Sequence, residues 1–581
     1  MLSKILRNVA VASAVLLSVT SLSGCAPSGQ IQAGTEVSIG ELHGLDSLNP
    51  DVATSLHAVA PNTDLGQLTS IGFYTRDSAA ELVPNLAFGK ASIVSTSPFT
   101  VAYTLTGAAK WSDGVKVDAT DLLLSWQAAV GSEKYGFHSL RAGGGLRFAT
   151  TVPKLSADLN TLTVQFSRPV NDWRTAIYPA VAAHTLAQQA LGGSQLSGTE
   201  ASSRLVQAIN TANESDLGEL AKAYVSAYSV LDGAKPEKSA LIGVGPYLIQ
   251  SANALTGVKL TANPAFNWGN APRIETVNVR YYEDSIAMIA DIQVGKLDLA
   301  ATVESGAAQT QEVMALAQKA DLRSAIGLSQ NIETVQLNLR TGSIFVSSGS
   351  GDTRAAKLRQ AFLLAVPKQR ITDAINADYS VQSANSFFYS PDDVHYPAVT
   401  KRNDSSKYAI QNLETASELL KDAGVTHSID VRVLFDSTNP LEQMVWGQLN
   451  QASKQFGFNL VNSGVTDPSG HVTAGDYDVL LSQLPLFGLN SFAATDSVDS
   501  SGFGSEDFDN AAKALAAAKK SSSKQALVAK LDAALFNAGF GLPLFQAPTM
   551  VAYSKSLGGV SLSPLGNSAV WGYWNWQKAA K

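Results

Sequence analysis

Cys25 is the one cysteine in 581 residues, and it ends the stretch SLSGC directly after an apolar run. A lone thiol cannot form an internal disulfide, and metal sites built from several cysteines are excluded as well. A single cysteine can instead act as a nucleophile through its thiolate. The position of Cys25 therefore indicates covalent modification rather than cross-linking.

The residues before Cys25 have the pattern of an export signal. Lys4 and Arg7 precede a short aliphatic run over residues 9–19, and small residues follow. This run is too short to cross a bilayer, which takes ~20 residues. Leu22-Ser23-Gly24-Cys25 resembles the lipobox of bacterial lipoproteins, which implies cleavage after residue 24 and a diacylglyceryl group on the Cys25 sulfur. The alternative is an incidental cysteine after an ordinary secretory signal.

The composition excludes several classes of protein. Residues 1–24 hold two basic and no acidic residues, so cleavage would leave 40 basic against 49 acidic ones. An acidic chain without a run of Lys and Arg is a poor nucleic-acid binder. Apolar residues make up 45% of the chain and charged residues 16%, which favours a large core over disorder. No second long apolar segment follows the first.

No catalytic motif is visible. The sequence contains neither G-x-S-x-G nor H-E-x-x-H, and its seven histidines are scattered. We therefore expect no enzyme activity, no cofactor and no metal. Two alternatives stay open: a Ser/His/Asp triad assembled by folding, and a receptor for a chelated metal, which needs few protein ligands.

Local patterns predict the elements of an α/β protein. An alternating strand begins at Thr35, another covers Phe99–Leu105, and Asp118 with Asp121 can cap the helix that follows. Trp111 is expected to pack a hairpin against that helix.

The second half of the chain continues the α/β pattern. Residues 185–230 predict two helices, and Gly245 is expected in a tight chain crossing that needs positive φ. Residues 331–545 alternate helices and strands, with the charges of Arg359 and Arg370 expected in solvent. The predicted helices are 355–366, 407–423, 441–457, 507–519 and 523–538, and the predicted strands are 331–339, 429–435 and 477–482.

An ordered set of short matches resembles the family 5 extracellular solute-binding proteins, which are the peptide, nickel and oligosaccharide receptors of ABC importers. The matches span almost the whole chain after the signal. They are ELVPNLA (81–87), KWSDGVKVDATDLLLSW (110–126), GVGPY (243–247), LTANPAFNWG (260–269), IADIQVGKLDLA (289–300), KLRQAFLLAVPKQRI (357–371), ASELLKDAG (416–424) and GLPLF (541–545).

The resemblance implies an α/β fold of the periplasmic-binding-protein-like type II, with two lobes and an extra subdomain in a three-domain cluster. The lobes would close on a ligand at their interface. The expected division is a lipoprotein signal peptide (1–24), a lipidated tether (25–35), lobe I (36–75), its extra subdomain (76–235), the second part of lobe I (236–305), lobe II (306–540) and a C-terminal return to lobe I (541–581).

The same resemblance implies where the ligand lies. The cleft would be lined by residues 54–57, 135–137, 303–304, 336–338 and 483–490. The residues predicted to contact the ligand are Thr54, His57, Tyr135, Phe137, Glu304, Asn338, Gln483, Phe487 and Asn490.

Peptide-binding members of the family carry a tryptophan and an acidic residue after a strand like YDVLLSQ, and this chain has Leu484 and Phe487 there. Burying a ligand ammonium group without a countercharge costs several kcal/mol. Glu304, Asp496 or Asp499 could replace the missing acid, or the ligand could be neutral.

The resemblance therefore predicts a monomer that is held on the outer face of the bacterial cell membrane by its lipid anchor. It would deliver a small molecule or oligopeptide to ABC transporter permease subunits. The alternatives are an oligosaccharide or glycolipid receptor and an envelope scaffold or regulator of the same fold.

Overall fold

The structure is a computed structural model of the 581-residue chain. It describes residues 30–42, 44–53, 59–78, 81–142, 144–170, 172–192, 196–231, 234, 236–283, 285–302, 322–346, 353–376, 381–453, 457–487, 501–518, 520–564 and 568–579.

Sixteen strands of the described residues form three sheets, of which the largest has ten strands in the order β14-β13-β15-β12-β16-β11-β1-β10-β9-β8. A four-stranded sheet, β4-β5-β7-β6, and a two-stranded one, β2-β3, lie between residues 74 and 166. The strands are β1 Gln32–Leu42, β2 Tyr74–Arg76, β3 Leu82–Pro84, β4 Gly89–Thr96, β5 Phe99–Leu105, β6 Lys154–Leu155, β7 Thr161–Phe166, β8 Tyr247–Asn253, β9 Gly257–Ala262, β10 Ile274–Tyr282, β11 Leu299–Thr302, β12 Leu322–Leu337, β13 Ile429–Leu434, β14 Phe458–Asn462, β15 Val479–Pro485 and β16 Gly541–Ser554.

Helices pack on these sheets throughout the described chain. They are α1 Val59–Thr69, α2 Ala119–Val130, α3 Ala183–Leu191, α4 Gly198–Asn210, α5 Glu214–Ser226, α6 Ser285–Gln293, α7 Thr353–Ala365, α8 Lys368–Asn376, α9 Tyr396–Thr400, α10 Leu413–Asp422, α11 Pro440–Ser453, α12 Ser469–Ala474, α13 Glu506–Ala517 and α14 Ser521–Ala538. Among the described helices, none is long and apolar enough to cross a membrane.

The hydrophobic side chains separate into two large cores. The first core extends from Val37 to Leu299 and takes up Val551 to Trp576, and we call the part of the chain around it lobe I. The second core extends without interruption from Ile332 to Phe545, and the part around it is lobe II. This mixed α/β architecture with two lobes confirms the predicted fold class, whereas the boundary numbers of the domains stay predictions.

Two long antiparallel strands connect the lobes. β12 pairs with β16 from Leu322–Ser554, next to lobe I, to Gln336–Gly541, inside lobe II. The register shifts between Leu328 and Ile332, so the ladder is irregular about halfway along the pair. Such an irregularity bends a strand locally and marks the position at which the two lobes are linked.

The hairpin before α2 confirms the prediction made from Trp111 and Asp118. Asp118 caps α2, and its backbone N–H donates to the carboxylate of Asp121, which closes a capping box. Trp111 is buried, and its Nε1 donates to Asp121 Oδ2 over 3.2 Å. Burial raises the pKa of Asp121 to about 7.

Several sequence-based boundaries differ from the structure. The first strand begins at Gln32 and therefore includes the last residues of the predicted tether. Residues 185–230 form three helices instead of two, because the chain turns at Ala212 with φ of +48° and Asn213 caps a further helix. The predicted helix 407–423 is a short 3₁₀ turn, Ser405–Tyr408, followed by α10.

One expectation about a single residue is wrong, and the tight chain crossing predicted at Gly245 is confirmed but for a different physical reason. Arg359 is buried rather than solvated, and its Nη1 donates to the carbonyl of Phe345 over 2.7 Å. Gly245 has no positive φ. It is required instead because a Cβ there would lie 2.2 Å from the carbonyl carbon of Thr69 at the end of α1.

Candidate functional site

On the lobe I side, Tyr135 and Phe137 lie at one π-helical turn, Ser132–Gly136, directly after α2. Tyr135 is half-buried, and the Lys134 ammonium group lies 4.9 Å from the centre of its ring. Phe137 is fully buried and packs edge-on against Tyr224 at 5.4 Å. Of the two predicted contact residues here, Tyr135 therefore presents accessible surface, and Phe137 fixes the turn.

Beneath this turn lies a buried ion pair between Asp51 and Arg141. Arg141 Nε donates to Asp51 Oδ1 over 2.7 Å, and Nη2 donates to Oδ2 over 2.6 Å. Nη1 donates to the hydroxyl oxygen of Ser125 over 2.6 Å. The pair thereby joins the segment before α1, α2 and the loop that carries Arg141, with the bidentate geometry that gives arginine–carboxylate pairs their strength.

The remaining donors to Asp51 complete this network. Ser139 Oγ donates to Oδ2 over 2.7 Å, and the Tyr224 hydroxyl donates to the same oxygen over 2.8 Å. Burial opposes the charge of Arg141, but the Asp51 carboxylate outweighs it and raises the arginine pKa. Burial and the neighbouring Asp51 charge raise the pKa of Tyr224. The site is thus a buried ion pair whose carboxylate also accepts from the hydroxyl groups of Ser139 and Tyr224.

On the lobe II side, amide and hydroxyl groups lie on both faces of the paired strands β12 and β15, because successive side chains of a strand point to opposite faces. Gln336 Nε2 donates to Ser482 Oγ over 2.6 Å and to Thr334 Oγ1 over 3.0 Å. On the opposite face, Asn331 Nδ2 lies 3.5 Å from Gln483 Oε1. Gln483, a predicted contact residue, is half-buried, and no residue of the described chain accepts from its side-chain amide.

The structure describes two other predicted contact residues in lobe II. Both pack inside the lobe. Asn338 is fully buried, and its amide donates to the carbonyls of Gly475 and Tyr477 over 2.9 and 2.7 Å. Phe487 is also buried and packs edge-on against Phe388 at 5.3 Å. A ligand contact by either residue stays a prediction.

Glu333 on β12 is a further polar residue of this region that the sequence did not single out. Its side chain is fully buried, and neither carboxylate oxygen has a hydrogen-bond partner. Burial, together with the nearby charge of Glu442, raises the pKa of Glu333 well above its usual value. The neutral form of Glu333 is therefore favoured over the charged form, since an isolated buried charge is costly.

Five further predictions made from the sequence concern residues outside the described part of the chain. These are the lipidation site Cys25 and the predicted contact residues Thr54, His57, Glu304 and Asn490. Asp496 and Asp499, the candidate replacements for a missing countercharge, lie outside it as well. These assignments stay predictions.

The described residues contain two histidine–aspartate pairs but no third member of a triad. His184 Nε2 lies 2.7 Å from Asp113 Oδ2, and His471 Nδ1 lies 3.0 Å from both oxygens of Asp476. Within the described chain, no serine hydroxyl bonds to either ring, and no group of three His, Cys, Asp or Glu residues could hold a metal ion.

Sequence reasoning missed the Asp51–Arg141 pair, although Arg141 follows the predicted 135–137 segment closely. The two residues are 90 positions apart, and no local pattern joins them. The one available signal was an arginine and an aspartate that each stand beside predicted cleft segments.

Two separately packed lobes joined by paired strands, with polar groups on the linking strands, define a bilobal binding protein. The chain matches the family model described as "Bacterial extracellular solute-binding proteins, family 5 Middle" over residues 81–506. It therefore belongs to the family 5 solute-binding proteins, which confirms the resemblance seen in the sequence. These proteins supply substrates to ABC importers.

Curated relatives are lipoproteins of mycobacteria. The chain is 24% identical over 591 aligned positions to the uncharacterized lipoprotein Rv2585c of Mycobacterium tuberculosis, covering 98% of this chain and 97% of the relative. It is 23% identical to the uncharacterized lipoprotein ML0489 of Mycobacterium leprae, covering 87% of each.

Solved structures share the fold at low identity. The periplasmic EDTA-binding protein EppA matches with a TM-score of 0.76 and 17% identity, over 95% of this chain and 98% of EppA. The oligopeptide-binding protein AppA of Bacillus subtilis, solved with a nonapeptide, matches with a TM-score of 0.68 and 13% identity, over 95% and 100%. NikZ of Campylobacter jejuni, solved with Ni(L-His), matches with a TM-score of 0.69 and 17% identity, over 94% of this chain and 100% of NikZ.

Proposed function

We propose that this protein is a lipid-anchored receptor on the outer face of the cell membrane. It captures a peptide-like solute between its two lobes and delivers it to the permease of an ABC importer. The lobes close because a ligand that touches both of them stabilises the closed form over the open form. The permease then distinguishes the loaded from the empty receptor by its shape.

The observation that carries this proposal is the link between the lobes. Each lobe has its own hydrophobic core, and the paired strands β12 and β16 run from one to the other. They pair from Leu322 to Leu328 and again from Ile332 to Gln336, with register shifts between Leu328 and Ile332 and between Glu333 and Thr334. A rotation of one lobe against the other therefore disturbs little of either core.

The chemistry of lobe II supports a ligand rich in amide groups. Gln483 offers donor and acceptor atoms on one face of the β12–β15 pair, and Gln336 and Ser482, bonded to each other, form a polar group on the opposite face. An extended peptide backbone presents the matching groups, and bound water fills the gaps, so that many side chains are tolerated.

One observation favours the second candidate, a receptor for a neutral ligand such as an oligosaccharide. Phe487 occupies the position where peptide-binding relatives are expected to carry an acid, and its ring is buried against Phe388. Among the described residues of β12 and β15, the one carboxylate is Glu333, which is fully buried and whose pKa is raised by that burial. A free ligand ammonium group finds no countercharge there.

Small-angle scattering with candidate ligands tests lobe closure. The mature protein is mixed with a tri- to pentapeptide library, with an oligosaccharide library, or with Ni(L-His)₂. A fall in the radius of gyration with peptides supports the proposal, and a fall only with oligosaccharides supports the second candidate. A radius that stays constant with all three ligand sets contradicts capture by closure.

The variant Gln483→Ala locates the contact within lobe II. We expect it to weaken binding of the ligand found by scattering about tenfold, because a hydrogen bond to a buried partner is lost. The matched control is Gln382→Ala, an exposed glutamine of lobe II that bonds to Asp392 over 2.9 Å. Equal affinities of the two variants would contradict the assignment of Gln483.

The lipid anchor is tested at Cys25. Mass spectrometry of the N-terminal peptide of the membrane-bound protein is expected to show a diacylglyceryl group on this residue, and Cys25→Ala is expected to release the protein into the medium. An unmodified thiol on a protein that still fractionates with membranes would contradict the anchor.

A further inference from the structure

Lobe I contains a cavity of its own, with a volume of about 470 Å³. It runs along one face of α1 between the segment around Arg174 and the C-terminal return, which supplies Trp571 and Trp574. All of its described lining residues belong to lobe I. Its volume lies within the ~300–1,000 Å³ range of small-molecule sites.

Aromatic side chains of the C-terminal return build one wall of this cavity. Trp571 and Trp574 are half-buried and meet edge to face at 5.6 Å, and Tyr573 meets Trp574 edge to face at 5.0 Å. The Tyr573 hydroxyl donates to the carbonyl of Asn270 over 2.9 Å, which fixes the group to lobe I. The wall therefore offers an ordered apolar surface to a flat ring.

The charges around the cavity favour an anion. Arg141 and Asp51 both line it, but they neutralise each other in the buried pair described above. Asp51 is the one acidic side chain among the described lining residues. A ligand thus meets no unpaired carboxylate of the described wall.

Two further arginines line the cavity: Arg76 is half-buried near the charge of Glu81, and Arg174 is the exposed one. Its side chain is exposed at the cavity rim, and its guanidinium lies over the ring of Trp173 at 4.5 Å and 5.9 Å from that of Tyr74. No carboxylate of the described chain lies within ion-pair distance of it. The aromatic contacts orient the guanidinium, and its fork of N–H groups remains open to a carboxylate or phosphate.

We propose that this cavity is a second binding site, which takes a small ring compound carrying one carboxylate or phosphate group. The ring packs on Trp571 and Trp574, and the anionic group pairs with Arg174. Because lobe I alone builds the site, binding there requires no closure of the lobes. Binding there is therefore expected without the lobe closure that solute capture requires, although the Asp51–Arg141 pair belongs to the wall of this cavity as well.

Calorimetric titration of the mature protein with two probes of equal ring and opposite charge tests the assignment. Indole-3-acetate is expected to bind, whereas tryptamine, which carries an ammonium group on the same ring, is expected not to. Acetate, which lacks the ring, is expected not to bind either. Equal binding of the two indoles, or no binding of indole-3-acetate at millimolar concentration, overturns the proposal.

Variants connect the binding to this cavity. Arg174→Gln is expected to weaken the binding of indole-3-acetate at least about tenfold, since a hydrogen bond to a charged group is lost. The matched control Arg402→Gln removes an exposed arginine of lobe II and is expected to change nothing. Trp571→Leu is expected to weaken the binding of the same probe. Its melting temperature shows whether the variant is folded. An affinity unchanged by both cavity variants overturns the proposal.

Two further probes identify the anion. Phenylacetate and phenyl phosphate share the ring and differ in the acidic group. The probe that binds more tightly indicates whether the site prefers a carboxylate or a phosphate. Binding of either one that Arg174→Gln weakens supports the site. If scattering shows no change of radius while indole-3-acetate is bound, the cavity is separate from lobe closure, and failure of either proposal leaves the other standing.

Discussion

Replacing Arg141 by methionine removes one half of the buried ion pair in lobe I. The Asp51 side chain is fully inaccessible and that of Arg141 is 13% exposed, so the carboxylate left behind cannot be hydrated. The variant also loses the donors to Ser125 Oγ and to the carbonyl of Ala176. Breaking a buried pair in this way costs about 3–5 kcal/mol, the range we expect for lobe I.

Thermal unfolding followed by calorimetry measures the loss. At about 2–4 °C per kcal/mol, the transition of lobe I is expected to fall by roughly 6–20 °C. Lobe II has a separate core, so a second transition is expected to stay in place. The control Arg402→Met removes an exposed arginine of lobe II and is expected to leave both transitions unchanged.

A double variant separates charge from packing. In Asp51→Asn with Arg141→Met, the remaining amide oxygen still accepts from Ser139 and Tyr224, and no buried charge is left. We expect the double variant to be more stable than Arg141→Met alone. A single variant that loses less than about 1 kcal/mol, or a double variant less stable than the single one, would refute the reasoning.

Two other predictions follow from the packing. Burial raises the pKa of Asp64 to about 6, of Asp121 to about 7 and of Asp532 to about 6. The folded chain therefore takes up protons before the unfolded chain does, and the melting temperature is expected to rise as the pH falls from 7 to 5; a flat or falling profile in a buffer series would contradict this. Gly245→Ala is expected to destabilise lobe I, because the new Cβ would overlap the backbone of Thr69. Gly218→Ala, in the interior of α5 with nothing within 4 Å, is expected to stabilise it by about 0.5–1 kcal/mol, as urea unfolding of the two variants will show.

Local sequence patterns predicted those features whose partners are close in the chain. Trp111, Asp118 and Asp121 lie within eleven positions, and their spacing already contains the cap and the hairpin contact that the structure confirms. The family motifs gave the fold class in the same way, because their order along the chain reflects the order of the elements.

Features with distant partners were not predictable. Arg359 stands on a helix face that is solvated by default, and its burial depends on the carbonyl of Phe345 and on Gly539, which packs against it. The break at Ala212 contains neither Gly nor Pro, so the helical pattern runs through it without a signal. The lobe I cavity joins Arg174 to Trp571 across almost four hundred residues, although the density of aromatic residues in VWGYWNW was visible in the sequence.

The order of the two cores along the chain has a consequence for how the protein folds during its synthesis. Lobe II is one uninterrupted stretch and can condense as soon as it has been synthesised, but the core that begins with Val37 waits for Val570 and Trp576. The first residues of this core therefore complete their packing contacts only after all of the intervening chain has been translated.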